Sequence, residues 1–362
     1  MLRRLLCTLA LIALPVAVLA QPDPQSAPQS SPQSAPQSAP QSAPAPHPAC
    51  AGTDLLVDLA GPEAESLAAA MEGQAYPEGN HWLARKGAAE ITVIGTLHMF
   101  DPRMTAVMET LAPTVAAADV LLVEATEAEM AKMQSEIGRR PDLLFLQSGP
   151  SLLERLTPEE WALLSTELAE RGVPGMMAAK MQPWYVAMML GMPACAMPQP
   201  GEALIGLDKM LMDAAAEAGT PTRALEAYDT VFDIFARFTM DQQLDMIRAS
   251  LPLADRAEDI FATLTAAYFA EEHRRIWEFS RMMTLNAPGA DPVQAEADFD
   301  LLERALLTER NRAWMEVIAA EAGDGTAPRK LVVAAGAAHL SGPDGVLTLL
   351  DADGWDLERQ PF

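Results

Sequence analysis

The spacing of apolar residues changes twice along the chain, and each change marks an element. Glu90-Ile91-Thr92-Val93-Ile94-Gly95 is a short β-branched run closed by glycine, Pro102 to Ala117 repeats its apolar positions at helical spacing, and Asp119 to Glu124 is a second apolar run. This order predicts a β-α-β unit. Near the other end, Lys330 to Ala335 is another buried-type strand ending at Gly336, followed by a helical Pro343 to Leu350 and a short strand over Trp355 to Glu358. Strands that are apolar on both faces belong to sheets covered on both sides, so the two ends are expected to contribute to one mixed or parallel central sheet of the α/β class.

The stretch between them has helical periodicity almost throughout. Thr157-Pro158-Glu159-Glu160 is a capping box with proline at the first helical position, opening a helix that stops at Gly172. Further helices are predicted over Pro174 to Leu190, Ile205 to Ala218, Met240 to Ala249, Arg256 to Met283 and Pro292 to Ala322, with a possible strand over Thr222 to Ala227. A large helical insertion is therefore expected to cover the cleft at the sheet.

The amino terminus breaks both periods. Arg3 and Arg4 precede an apolar run from Leu5 to Leu19 that ends in Val18-Leu19-Ala20, the pattern of a secretory signal peptide cleaved before Gln21. Residues 21–49 repeat Gln-Ser-Ala-Pro, hold nine of the chain's 29 prolines and predict a solvated tether. The folded domain is thus 50–362. Export places it in a periplasmic or secreted setting, where Cys50 and Cys195 remain once Cys7 has left, an even pair suited to a disulfide. The formal charge of -25 becomes -27 without Arg3 and Arg4. That balance repels phosphate backbones and anionic lipids, arguing against nucleic acid, and no stable membrane insertion is expected after signal cleavage.

Two Gly-x-x-His sequences each follow a predicted strand: Gly95-Thr96-Leu97-His98 and Gly336-Ala337-Ala338-His339. Such histidines project at the carboxyl edge of the sheet, where open α/β sheets bind ligands. Glu124 ends an apolar strand 26 positions after His98, and a carboxylate there is costly unless it is paired, bound to metal or catalytic. His98, Glu124 and His339 form a set suited to a divalent ion; the alternatives for Glu124 are an ion pair with Arg310 or a strand end facing water. Asp208 and Glu226 are candidates for a further ligand or a general base, and Asp208 is equally a helix-start residue. His81 and His273 read as structural or exposed. The cluster from Met176 to Met197 follows a helical face and reads as packing before copper binding. No Gly-x-Ser-x-Gly, Walker A, His-Glu-x-x-His or dinucleotide fingerprint is present.

The two Gly-x-x-His strands, Glu124, Lys180 before Pro183-Trp184, Gly206-Leu207-Asp208, Leu225-Glu226 and Arg310-Asn311, in this order, resemble the TraB/GumN family over essentially all of 50–362. The resemblance implies kinship with Tiki-type metal-dependent proteases and, more distantly, with erythromycin esterases and haem-binding ChaN-like proteins. It implies an α/β fold of two related halves around one cleft. It also makes His98 and His339 the family's paired histidines, Glu124 its acid, and Arg310 a residue that holds Glu124 or a developing oxyanion. The function expected from sequence is an exported metal-dependent hydrolase, a peptidase acting on a peptide or protein substrate through Mn, Co or Zn. The competing expectation is a non-catalytic periplasmic protein that binds haem, metal or a peptide in the same cleft.

Overall fold

Two apolar strands 240 residues apart pair side by side at the centre of the sheet, Ala89 opposite Arg329 and Thr96 opposite Gly336. The computed structural model describes residues 50–197, 205–286 and 291–362; the expected signal peptide and tether lie outside the described residues. Six strands, β1 (His81–Lys86), β2 (Ala89–Thr96), β3 (Val120–Val123), β4 (Thr222–Ala224), β5 (Arg329–Gly336) and β6 (Asp356–Arg359), form one mixed sheet in the order β4-β3-β5-β2-β1-β6. The four strands β4, β3, β5 and β2 are parallel, whereas β1 runs antiparallel to both β2 and β6. The fold is α/β, as the two apolar ends predict.

Alternation along the strands builds the two cores. Ile91, Val93, Val120, Leu122, Leu331 and Val333 pack against Trp314, Ile318, Leu347 and Leu350 on one face. Ile94, Leu121, Val123, Val332 and Ala334 face the other side and meet the helical insertion. Full burial of such a side chain stabilises by roughly 1.5–3 kcal/mol, and truncating Ile94 or Leu121, each 0 % exposed, to alanine costs about 2–5 kcal/mol.

Several predicted helices are interrupted for local reasons. The one expected over Pro174 to Leu190 is two, Gly175–Ala178 and Pro183–Leu190, because Gln182 precedes proline and is extended. The one expected over Arg256 to Met283 divides into Ala257–Phe269 and His273–Leu285 at Glu271, whose φ is 61°. The last carries a π turn over Arg304–Thr308 between Pro292–Glu303 and Glu309–Ala322. The predicted strand over Thr222 to Ala227 stops at Ala224, so Glu226 lies just beyond it. The hairpin strand β1 carries no apolar alternation and was not foreseen.

Cys50 and Cys195 form a disulfide with Cα atoms 5.5 Å apart, fixing the start of the domain to the loop after Pro183–Leu190. The methionines divide: Met181, Met188, Met189 and Met192 are core, while Met176 is 91 % exposed. His81 and His273 are both buried and structural, His273 lying against Asn80 Oδ1 and the Tyr76 carbonyl. Among the described residues no helix is long and apolar enough to cross a membrane.

Candidate active site

The parallel register brings the carboxyl ends of four strands together. Thr96 of β2 lies opposite Gly336 of β5, and Val123 of β3 lies opposite both Ala334 and Ala224. The residues just past these strand ends are therefore brought to one edge: Glu124 directly after β3, His98 and Glu226 two residues after β2 and β4, and His339 three after β5. Backbone bonds from Leu225 N–H to the Val123 carbonyl (2.7 Å) and from Glu226 N–H to the Glu124 carbonyl (3.4 Å) continue the pairing past β4 and set the two carboxylates side by side.

Arg310 closes this group from the helix Glu309–Ala322. Its Nη2 donates to Glu124 Oε2 (2.6 Å) and Glu226 Oε1 (2.9 Å), its Nε to Glu226 Oε2 (2.8 Å), and its Nη1 to the Leu306 carbonyl (2.9 Å) and His339 Nε2 (3.1 Å). Trp314, one turn further on, stacks its ring 4.9 Å from the guanidinium and donates its indole N–H to Glu226 Oε2 (3.0 Å). Burial opposes the Arg310 charge, but Glu124 and Glu226 outweigh it and raise the guanidinium's pKa further. Burial, helped by the charge of Glu124, lifts the Glu226 carboxyl above the usual range although Arg310 pulls it down. Of the alternatives open for Glu124, the structure contains the ion pair with Arg310; its other oxygen accepts the Gly336 N–H (2.6 Å).

Each histidine is pinned through Nδ1. His98 donates to Asp208 Oδ1 (3.0 Å). Asp208 reaches it because Gly206 lets the start of helix Leu207–Ala218 press on the turn: a Cβ there would lie 2.4 Å from the His98 backbone. Leu207 N–H accordingly bonds the Leu97 carbonyl (2.9 Å). His339 donates to Asn311 Oδ1 (2.6 Å), whose orientation is fixed because its Nδ2 donates to the carbonyls of His339 (3.2 Å) and Asp344 (2.8 Å). Burial opposes protonation of His98, but Asp208 and then Glu124 overcome it and push the imidazole up to about 9. Burial and the neighbouring charges of Arg310 and His98 instead hold His339 well below the ordinary histidine range.

The donor atoms suit a divalent ion in kind. Pinning Nδ1 leaves both Nε2 atoms for the shared edge, the arrangement in which an outer partner orients a ligating imidazole. His98 Nε2 and Thr96 Oγ1, both buried, make no hydrogen bond within the protein. His339 Nε2 and Glu124 Oε1 are 3.9 Å apart. In the present arrangement Arg310 supplies the positive charge between them, and among the described residues no three His, Cys, Asp or Glu side chains converge as a ready-made metal cage. Access is narrow: a crevice of about 30 Å³ beside Glu124 and Glu226 is roofed by Glu129, Met130, Tyr228 and Val231 of the insertion.

Of the six site residues singled out in the sequence, Glu124, Glu226, Arg310 and His339 share one hydrogen-bonded network, and His98 and Asp208 form a separate pair beside it that feels the charges of Glu124 and Arg310. Asn311 belongs to the sequence pattern only as the neighbour of Arg310, with no role of its own, and Trp314 and Tyr268 are not singled out by the sequence. Trp314 could have been found from its i+4 spacing to Arg310 on one helix face. Tyr268, 2 % exposed, donates its hydroxyl to the Gly95 carbonyl (2.9 Å) from a separate helix, and nothing in its spacing signals that contact.

No curated protein matches the chain in sequence. The model of the TraB/PrgY/gumN family matches residues 80–359, which runs from the start of the sheet to its last strand and includes every residue of the network. The chain belongs to the TraB/PrgY/gumN family.

Proposed function

We propose that the chain is an exported metal-dependent hydrolase, a peptidase in which His98 Nε2, His339 Nε2 and Glu124 hold one Mn, Co or Zn ion. The observation that carries this reading is the pair of imidazoles pinned through Nδ1, with a carboxylate between strand ends and His98 Nε2 lacking a partner in a buried site. When bound, the ion would acidify a water and polarise the scissile carbonyl. Arg310 Nη1 would have to release His339 Nε2 for that ring to serve as a ligand.

The chain's own groups then divide the work. Asp208 and Asn311 are positioning residues that fix the two rings. Glu226, held by both Arg310 and Trp314, anchors the guanidinium, which in turn faces Glu124 and can stabilise negative charge on a tetrahedral intermediate. Glu226 also borders the crevice and, as the candidate general base, would exchange a proton with water there. The insertion must yield for a peptide to enter, since about 30 Å³ holds little more than one water. Export is supported by the disulfide, which persists in oxidising compartments.

Metal analysis of the purified chain, followed by a peptide-library cleavage assay with and without Mn²⁺, Co²⁺ and Zn²⁺, tests the reading. Stoichiometric metal and metal-stimulated cleavage are expected, both lost in His98→Ala and in Glu124→Ala with circular dichroism unchanged. Absence of bound metal together with absence of metal-dependent cleavage would sink it. The small crevice favours one competitor, a protein that takes up metal stoichiometrically without turnover.

A further inference from the structure

The three side chains proposed to hold the ion differ in what already faces their donor atoms. His98 Nε2 is buried and makes no hydrogen bond among the described residues. The other two are engaged by one group: Arg310 Nη2 donates to Glu124 Oε2 (2.6 Å), and Arg310 Nη1 donates to His339 Nε2 (3.1 Å). Glu124 Oε1 in turn accepts the Gly336 N–H (2.6 Å). A guanidinium has donors only and keeps its charge at any working pH, so a lone pair turned toward it is closed to a second cation.

The contacts of Arg310 fall into two sets. One set anchors it away from the proposed ligands: Nε and Nη2 grip the two oxygens of Glu226 (2.8 and 2.9 Å), and the guanidinium lies 4.9 Å from the Trp314 ring. Nη1 also reaches the Leu306 carbonyl (2.9 Å) within the π turn Arg304–Thr308, an irregularity common where a helix serves a site. A two-point grip on a carboxylate is the most directional ion pair a protein makes, and Glu226 is itself fixed by the Trp314 indole N–H (3.0 Å). The other set is the pair of bonds to Glu124 and His339. Turning the guanidinium about its grip on Glu226 breaks that second set and keeps the first.

We propose that Arg310 is a built-in gate on the ion site, swinging about Glu226 to cover or uncover Glu124 Oε2 and His339 Nε2. The proposal rests on the ligand set assigned to the hydrolase. Because the same lone pairs cannot serve both cations, the affinity for a divalent ion is its intrinsic value scaled by the share of molecules with Arg310 withdrawn. Arg310 is then the reverse of a supporting residue, and its removal tightens ion binding.

Isothermal titration of the chelator-treated full chain with Co²⁺ and Zn²⁺ tests the gate. One ion per chain is expected in the parent, and Arg310→Ala should bind it about 10- to 100-fold more tightly, the value of one charge-assisted contact no longer competing. Guanidinium chloride at low millimolar concentration should weaken Co²⁺ binding to Arg310→Ala and leave the parent unchanged at matched ionic strength, since the free cation refills the vacated place. Arg310→Lys keeps a cation for Glu226, but one ammonium cannot face Glu124 and His339 as the fork does; its affinity should lie between the two, and it carries the test if the alanine variant does not fold. Binding by the parent with equal or weaker binding by the folded variants would overturn the gate and leave the metal reading standing. No binding by any of these chains would remove the ligand set and the gate with it.

Discussion

The two Gly-x-x-His turns have the same sequence pattern, follow adjacent parallel strands and end at the same edge, yet their histidines carry opposite charge states. His98 faces a carboxylate through Nδ1 and is held protonated to about 9. His339 faces the neutral amide of Asn311 through Nδ1 and the Arg310 cation through Nε2, and is held neutral. Both are buried, so burial alone pushes both rings toward neutrality and cannot produce the difference. A repeated motif therefore fixes where an imidazole sits, while its proton is set by whatever second element reaches its far nitrogen.

The harshest way to break this comparison is Arg310→Ala. It removes the one cation that Glu124 and Glu226 share and leaves buried carboxylates uncompensated. A loss of about 3–5 kcal/mol in denaturant unfolding is expected. His339 should then titrate closer to its ordinary value, since a neighbouring positive charge has gone; an unchanged His339 titration would show that Arg310 is not what holds it neutral.

Asp208→Asn comes next and acts on the other ring. In chelator-treated protein the folded pKa of His98 lies above the unfolded one, so its stabilising effect is complete below pH 6.5 and fades as pH rises through about 9. Stability measured across that window should therefore fall in the parent. In Asp208→Asn burial governs His98, the alkaline fall should vanish, and stability near pH 6 should drop by on the order of 3 kcal/mol. His339, with its pKa depressed, contributes the opposite slope: its effect is present above pH 6.5 and is lost on acidification. A parent protein with no alkaline fall would contradict the protonated assignment of His98.

These contrasts were only partly legible in the sequence. Positions at strand ends were readable because Ile91 to Gly95, Val120 to Glu124 and Lys330 to Gly336 each end an apolar run with a turn residue or a charge, and a charge ending a buried strand announces a partner. The insertion of β5 between β2 and β3 was not readable, since parallel pairing of remote segments leaves no local mark, although it is what joins His339 to Glu124. Equally hidden were the π turn at Arg304–Thr308 and the break at Glu271, because the apolar helical period continues through both. Asn311 stood beside Arg310 in plain view, but its role depends on two carbonyls, of His339 and Asp344, that only the folded loop supplies.

Asn311→Asp sharpens the comparison by giving His339 the kind of partner His98 has. A carboxylate on Nδ1 should raise the titration of His339, followed through its imidazole C2–H resonance. Stability should change by about 1–3 kcal/mol, because the amide's bonds to two carbonyls are lost together. If His339 still stays neutral down to the acidic range, Arg310 and burial dominate and the far-nitrogen partner does not decide the proton.

The smallest effect is expected at Tyr268, which touches the turn of His98 through backbone and lies within range of the Asp208 charge. Its hydroxyl bonds the Gly95 carbonyl at the start of the first turn, and its own buried position has no water to substitute for that bond. Tyr268→Phe keeps the ring contacts with Phe269 and Phe362 and removes one neutral hydrogen bond, so about 1 kcal/mol of stability is expected to go. The informative measurement is the pair of histidine titrations. Because Tyr268 touches the strand of His98 and not that of His339, the His98 resonance should move while His339 keeps its own; equal movement of both would mean that the two turns are coupled as one rigid edge and that their opposite charge states are not independently set.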